Sequence, residues 1–299
     1  LCTIAQHSDA GIKPRDMHDV AGTVWKIPPK QLQDLDIPDL CTLPTSNEVR
    51  DNPLDFCLAH TLISQNQNPH TGRPLLQRHP KTVIIQNPPS LPLSPCDMDR
   101  IYDLPYSRER HPSYQEDVPA LMPVRFSVVS HRGCYGNCSF CALSMHQGTI
   151  IQSRSRKSIL KEIASFQNMR GFSGIVSDVG GPSANMYGDF CQNWEKSGAC
   201  TDRECIRCPS VRSGIHDYLD MLDEAEKLPK VKHVYIGSGL RYDLIPLDQD
   251  CFRRISQHIS GQMKIAPEHI TQNVTGIMNK PDQECFDRFR TFFEKNQVG

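Results

Sequence analysis

The chain has 299 residues, a formal net charge of −1 and 38% hydrophobic residues, enough for one or two domains with a full core. Near-neutral charge leaves no electrostatic footprint for nucleic acid, no run of about 18 apolar residues argues for a membrane span, and no signal peptide opens the sequence. Thirteen cysteines, odd in number and clustered in two places, point away from a secreted disulfide framework and toward metal binding in a reducing, cytoplasmic compartment. The sequence starts at Leu1 rather than Met, so a fragment of a longer protein is expected.

Residues 1–123 hold 17 of the 23 prolines, which interrupt helices and central strands. Within them, 23–27 and 82–86 read as short strands, 54–65 as a helix and 96–102 as one or two helical turns. Pro105, Pro112 and Pro119 then punctuate an extended linker. This part reads as an accessory segment, the remainder of an incomplete N-terminal domain, with a disordered tail over 1–50 as the alternative. Cys2, Cys41, Cys57 and Cys96 have no metal spacing and read as buried or free thiols.

From 124 onward strands alternate with amphipathic helices, the pattern of a parallel sheet in an α/β fold. The strand 124–130 leads into His131-Arg132-Gly133-Cys134-Tyr135-Gly136-Asn137-Cys138-Ser139-Phe140-Cys141, where three cysteines are spaced C-x3-C-x2-C and two glycines let the loop curl. Thiolates select zinc, copper(I) or iron–sulfur. Three local thiolates leave either an open iron on a [4Fe–4S] cube or a zinc knuckle completed by His131 or His146. A helix over 156–169 puts Ile159, Leu160, Ile163 and Phe166 on one face, and Arg154, Arg156 and Lys157 read as a solvated helix start or a carboxylate contact.

The strand 174–179 ends in Gly180-Gly181-Pro182, where backbone can approach a ligand closely and offer carbonyls to an ammonium group; an ordinary turn is the plainer reading. Residues 183–213 form an insertion holding Cys191, Cys200, Cys205 and Cys208, spaced C-x8-C-x4-C-x2-C. Four thiolates there suit zinc or iron–sulfur, with disulfides or unligated thiols as the alternative. A helix over 215–228, a strand 232–237, a helix 249–259, a strand 262–267 and a helix 282–295 follow, with Cys251 and Cys285 as core residues. Four strand–helix units are visible after the linker.

The cysteine loop, with Phe140 before its last cysteine, resembles the signature of radical S-adenosylmethionine (SAM) enzymes. Further segments resemble the YgiQ-type branch of uncharacterised radical SAM proteins. They are Asn87-Pro88-Pro89, Leu104-Pro105-Tyr106, Ser177-Asp178-Val179-Gly180-Gly181-Pro182, Ser238-Gly239-Leu240-Arg241-Tyr242-Asp243 and Lys264-Ile265-Ala266-Pro267-Glu268-His269. The resemblance implies a partial (βα) barrel over 124–299, shorter than the usual six units. It implies Cys134, Cys138 and Cys141 as ligands of a [4Fe–4S] cluster, with Gly180, Gly181, Ser238, Arg241 and Glu268 helping to seat SAM. The family's acidic residue after the glycine pair is replaced by Pro182, and Asp178 is the candidate substitute. Arg241 has a plainer reading, pairing with Asp243. The Cys191–Cys208 group belongs to the resembling pattern without fixing a second cluster or zinc. The implied activity is reductive cleavage of SAM to a 5′-deoxyadenosyl radical acting on an unknown substrate. The implied partners are SAM and a reductant such as a flavodoxin or ferredoxin, with no catalytic residue assigned. The alternatives are a non-catalytic zinc-stapled binding module and, by analogy with methylthiotransferases, a tRNA-modifying enzyme.

Overall fold

The computed structural model describes residues 2–202 and 204–296, so Leu1 and Arg203, which fall in the expected accessory segment and insertion, lie outside it. The chain divides into two compact units, Leu1–Pro92 with Asn193–Asp202, and Leu93–Gln192 with Arg203–Gly299. No helix among the described residues is long and apolar enough to cross a membrane.

The first unit opens with α1 (Cys2–Asp9) and is built on a four-stranded sheet. Its strands are β1 (Val24–Ile27), β2 (Cys41–Thr42), β3 (Leu75–Arg78) and β4 (Val83–Gln86), in the order β1-β4-β3-β2. β4 runs antiparallel to both β1 and β3, whereas β2 joins β3 in parallel. Alternation in β4 buries Val83 and Ile85, which pack with Ile27 and Leu76. Leu75 packs instead with Cys41 and Leu43, against Leu62 and Ile63. Adjacent Leu75 and Leu76 are both buried, so β3 is covered on both faces and its sequence shows no alternation to read. The helices α2 (Ser46–Asp51) and α3 (Pro53–Gln65) stand between β2 and β3. α2 starts at a reciprocal cap between Thr45 and Glu48, and Asn52 caps α3 ahead of Pro53. Residues 24–51 thus carry strands and a helix, and the disordered-tail alternative does not hold there. Asn68 Nδ2 donates to the Ser197 carbonyl at 2.8 Å, tying the 193–202 piece into this unit.

The second unit contains α4 (Pro95–Tyr102), β5 (Ser127–Val129), β6 (His131–Arg132), α5 (Leu143–Gln147), β7 (Gln152–Ser153) and α6 (Arg156–Ser165). Then come β8 (Ile175–Val176), β9 (Asp178–Gly180), α7 (Gln192–Lys196, continuing into the first unit), α8 (Ile215–Glu226), β10 (His233–Val234), α9 (Gln249–Gln257), α10 (Gln272–Met278) and α11 (Gln283–Asn296). β5 pairs with β9 and β8 with β10, both in parallel. The extended run 175–180 serves both neighbours: Ser177 N–H donates to Phe126 and Val179 N–H to Tyr235. The strand expected at 262–267 is reduced to a parallel bridge between Leu240 and Ile265. The result is a mixed α/β unit of short sheets, with no closed barrel among the described residues.

Helical periodicity explains its core. Ile159 and Ile163 of α6, Ile215, Leu219, Leu222 and Ala225 of α8, and Ile255 of α9 are buried with Val128, Val176, Val179 and Val234. Arg154 does not belong to a solvated helix start: it is 1% exposed, with Nη1 donating to the Val129 carbonyl at 2.9 Å and Nη2 to Ser158 Oγ at 2.8 Å. Its guanidinium also bonds Glu162 and lies 4.3 Å from the centre of the Tyr102 ring. Glu162 is one turn along α6 from Ser158, so both side chains meet Arg154 on the helix's inner side, and Arg108 is a second partner of Glu162.

Candidate metal centre at the cysteine loop

The cysteine loop leaves and re-enters the unit through a short antiparallel clasp, in which His131 faces Ser153 and Arg132 faces Gln152. Inside it, Gly133 adopts φ +95°, and Cys134 N–H donates to the Gly148 carbonyl at 3.0 Å. Tyr135, beside Cys134, donates its hydroxyl to Asp189, which also accepts Gly214 N–H at 2.7 Å. The tip is held by the end of α10: Ser139 N–H donates to the Met278 carbonyl at 3.1 Å, and Asn279 Nδ2 to the Asn137 carbonyl at 2.8 Å. Lys280 lies 5.9 Å from the Phe140 ring centre and donates to the Ala266 carbonyl.

Cys134, Cys138 and Cys141 are all half-buried and close enough that charge on Cys138 and Cys141 acts on Cys134. Burial pushes the Cys134 thiol up, those two charges push it further, and the Gly136 N–H and Arg241 oppose them. Among the described residues no three His, Cys, Asp or Glu side chains are set around a single ion. A mononuclear zinc needs its ligands on one point, whereas a cube takes each thiolate on a different iron. His131, the alternative fourth zinc ligand, is fully buried with Nδ1 2.9 Å from Ser130 Oγ. Burial lowers its pKa to about 4; Nε2 has no well-formed hydrogen bond, although the Ser183 backbone partly offsets the burial.

The strand ends form a second cluster of polar contacts. Asp178 Oδ1 accepts Gly237 N–H at 2.8 Å, Ser238 N–H at 2.9 Å and Ser238 Oγ at 2.9 Å. Burial raises the Asp178 pKa against these donors and Lys264, whose ammonium donates to the Gly237 carbonyl. A Cβ at Gly180 would lie 1.8 Å from Ser238 Oγ and 3.0 Å from Asp178 Oδ1, and one at Gly181 would lie 2.5 Å from His131 Cε1. Gly180, Ser238 and Asp178 thus share one corner, and Gly181 rests on the buried imidazole. Arg241 forms a two-bond pair with Asp243, Nε to Oδ1 at 3.0 Å and Nη2 to Oδ2 at 2.7 Å, and directs Nη1 at Cys138 Sγ, 3.7 Å away. Asn185 locks the Arg241 backbone, accepting its N–H at 3.0 Å and donating to its carbonyl at 2.9 Å.

Glu268 stands apart from these candidates: it is exposed with φ +64°, and no hydrogen bond among the described residues joins it to them. Of the second cysteine group, Cys191 and Cys205 are buried and Cys208 half-buried in the second unit, whereas Cys200 falls in the first unit, exposed, with Asn193 Nδ2 3.9 Å from its sulfur. Asn185 was invisible to sequence reasoning, because a lone buried amide at no fixed spacing carries no motif.

Residues 1–127 match the family model described as "Radical SAM N-terminal". That match, on an α/β chain, defines the class: a radical SAM-associated protein. The chain is 46% identical over 283 residues to a UPF0313 protein of Methanocella arvoryzae, covering 93% of this chain and 47% of that one. It is 40% identical to a UPF0313 protein of Methanosarcina acetivorans (98% of this chain, 43% of that one) and 38% identical to one of Clostridium botulinum (96% and 45%). The chain belongs to the UPF0313, or YgiQ-type, family, and spans about half the length of the relatives it matches.

Proposed function

We propose that the second unit is the cluster- and SAM-binding part of a radical SAM enzyme, built as the first four strand–helix units of a (βα) barrel. Cys134, Cys138 and Cys141 hold the cluster, and one-electron reduction of a bound sulfonium is the chemistry that such a cluster supplies when present. The carrying observation is the hydrogen bond from Arg241, three residues past Ser238, to Cys138 Sγ. It draws the thiol loop toward the strand ends that the family pattern marks for SAM. There Gly180 keeps side-chain bulk out of the corner, and Asp178 supplies the anion that Pro182 cannot. With Oδ1 occupied by three donors, Oδ2 retains acceptor capacity for an ammonium group. Ser238 fixes that carboxylate and presents its hydroxyl at the same place. Thiolates in this role need a reducing compartment and an external electron donor.

Anaerobic reconstitution with iron and sulfide tests the reading. About four irons per chain are expected at the loop, lost in Cys138→Ala, with 5′-deoxyadenosine formed from SAM under dithionite only when the loop is intact. An iron content per chain that is unchanged in Cys138→Ala, or zinc alone after anaerobic purification, overturns it.

A further inference from the structure

We propose that Arg241 is a positioning residue for electron transfer rather than a SAM ligand: its guanidinium donates a charge-assisted hydrogen bond to Cys138 Sγ and raises the reduction potential of the cluster bound there. The inference rests on the cluster reading above, and it concerns which atom Arg241 serves.

Three observations fix the assignment. Arg241 is held at both ends, its backbone by Asn185 and its Nε and Nη2 by Asp243, which leaves Nη1 to point at the sulfur. The loop accommodates it: a Cβ at Gly136 would stand 2.6 Å from Nη1 and 3.3 Å from Cys134 Sγ, so glycine there leaves the guanidinium its place beside the thiols. The pair is also shielded, with the Arg241 side chain 11% exposed and Asp243 7%. Solvent therefore screens its charges weakly. With the Nε–Nη2 fork engaged in the two-bond contact, Nη1 remains on the other side of the guanidinium, and the Cys138 sulfur lies 3.7 Å from it. The sign follows from charge. Reduction by one electron, from [4Fe–4S]2+ to [4Fe–4S]+ with dithionite or a poised mediator as the donor, makes the cluster and its sulfurs more negative. An N–H donor and positive charge at Cys138 Sγ stabilise that state, so the potential rises. Asp243 opposes this by balancing the charge of the guanidinium while aiming it.

Two substitutions of opposite expected sign test the claim in the reconstituted protein, read by the cluster's EPR signal during an anaerobic potentiometric titration. Arg241→Gln is expected to lower the ratio of reduced to oxidised cluster at a fixed potential at least threefold, roughly 30 mV at about 59 mV per tenfold change for one electron. Asp243→Asn is expected to move the midpoint upward, because it removes the opposing charge and leaves an amide oxygen to hold the arginine. Arg241→Lys, which keeps the charge without the planar fork, should fall between wild type and the glutamine variant. Helical circular dichroism and iron content confirm that each variant folds and loads. Midpoints unchanged in both variants, or moved in the same direction, overturn the proposal. So does an Arg241→Gln protein with the wild-type midpoint that loses the change SAM makes to the spectrum, since Arg241 would then serve SAM. Failure of the wild-type protein to bind iron would instead sink the cluster reading, a distinct result.

Discussion

Replacing Glu162 with alanine strips the shared partner from two arginines. Glu162 is 13% exposed and bonds both Arg108 and Arg154; the Arg154 side chain is 0% exposed, with the uncharged Val129 carbonyl, Ser158 hydroxyl and Tyr102 ring left to it. Breaking a buried pair by removing one partner costs about 3–5 kcal/mol, because the surviving charge stays desolvated. For a unit of roughly 200 residues that corresponds to a fall in Tm of about 6–20 °C. Both tryptophans, Trp25 and Trp194, lie in the first unit. Their fluorescence is therefore the wrong probe, and unfolding of the second unit should be followed by far-ultraviolet circular dichroism of α6, α8, α9 and α11. The double variant Arg154→Met/Glu162→Leu should lose less than Glu162→Ala alone, since an apolar pair replaces the buried charge. A Glu162→Ala protein within about 1 kcal/mol of wild type, or a double variant that loses the sum of the single losses, would refute the reasoning.

Two further predictions concern the floor beneath the glycine pair. His131 has a folded pKa of about 4 against an ordinary 6.5, so the unfolded chain binds the proton more tightly. Its contribution to stability is complete above pH 6.5 and declines as pH falls toward 4, by roughly 3 kcal/mol in total. Urea unfolding at a series of pH values should show this slope in wild type and a shallower one in His131→Gln; parallel slopes would remove His131 from the account. Gly181→Ala drives a methyl to within 2.5 Å of the buried imidazole and is expected to cost about 1–3 kcal/mol. Gly276→Ala, in α10 with nothing within 4 Å of the added carbon, should be neutral or stabilise by up to about 1 kcal/mol. Equal midpoints for the two variants would show that the contact beneath Gly181 yields easily.

The helices of the second unit were legible because their burial follows the 3.6-residue period: Ile215, Leu219, Leu222 and Ala225 are buried in α8, and Ile159 and Ile163 are buried in α6. The sheet of the first unit was half legible. Val83 and Ile85 alternate into the core, but Leu75 and Leu76 pack on opposite faces, and β2 has only two residues to announce it. At the site, the cysteine spacing and the glycine pair could be read because each is local. The links between them were hidden, since Arg241 meets Cys138 across 103 positions and Asp178 meets Ser238 across 60. Arg154 misled because a run of basic residues before a helix normally faces solvent, and only the tertiary placement of Val129 and Glu162 makes burial affordable.

The antiparallel clasp at His131–Ser153 has a consequence for assembly. Bringing the ends of a roughly 19-residue span together carries a length-dependent closure cost of about 2.5 kcal/mol, which here is met by backbone pairing and not by sulfur. If the loop carries the proposed cluster, stripping iron with a chelator should thus empty the cage and leave its walls standing, unlike a zinc finger, which collapses without its ion.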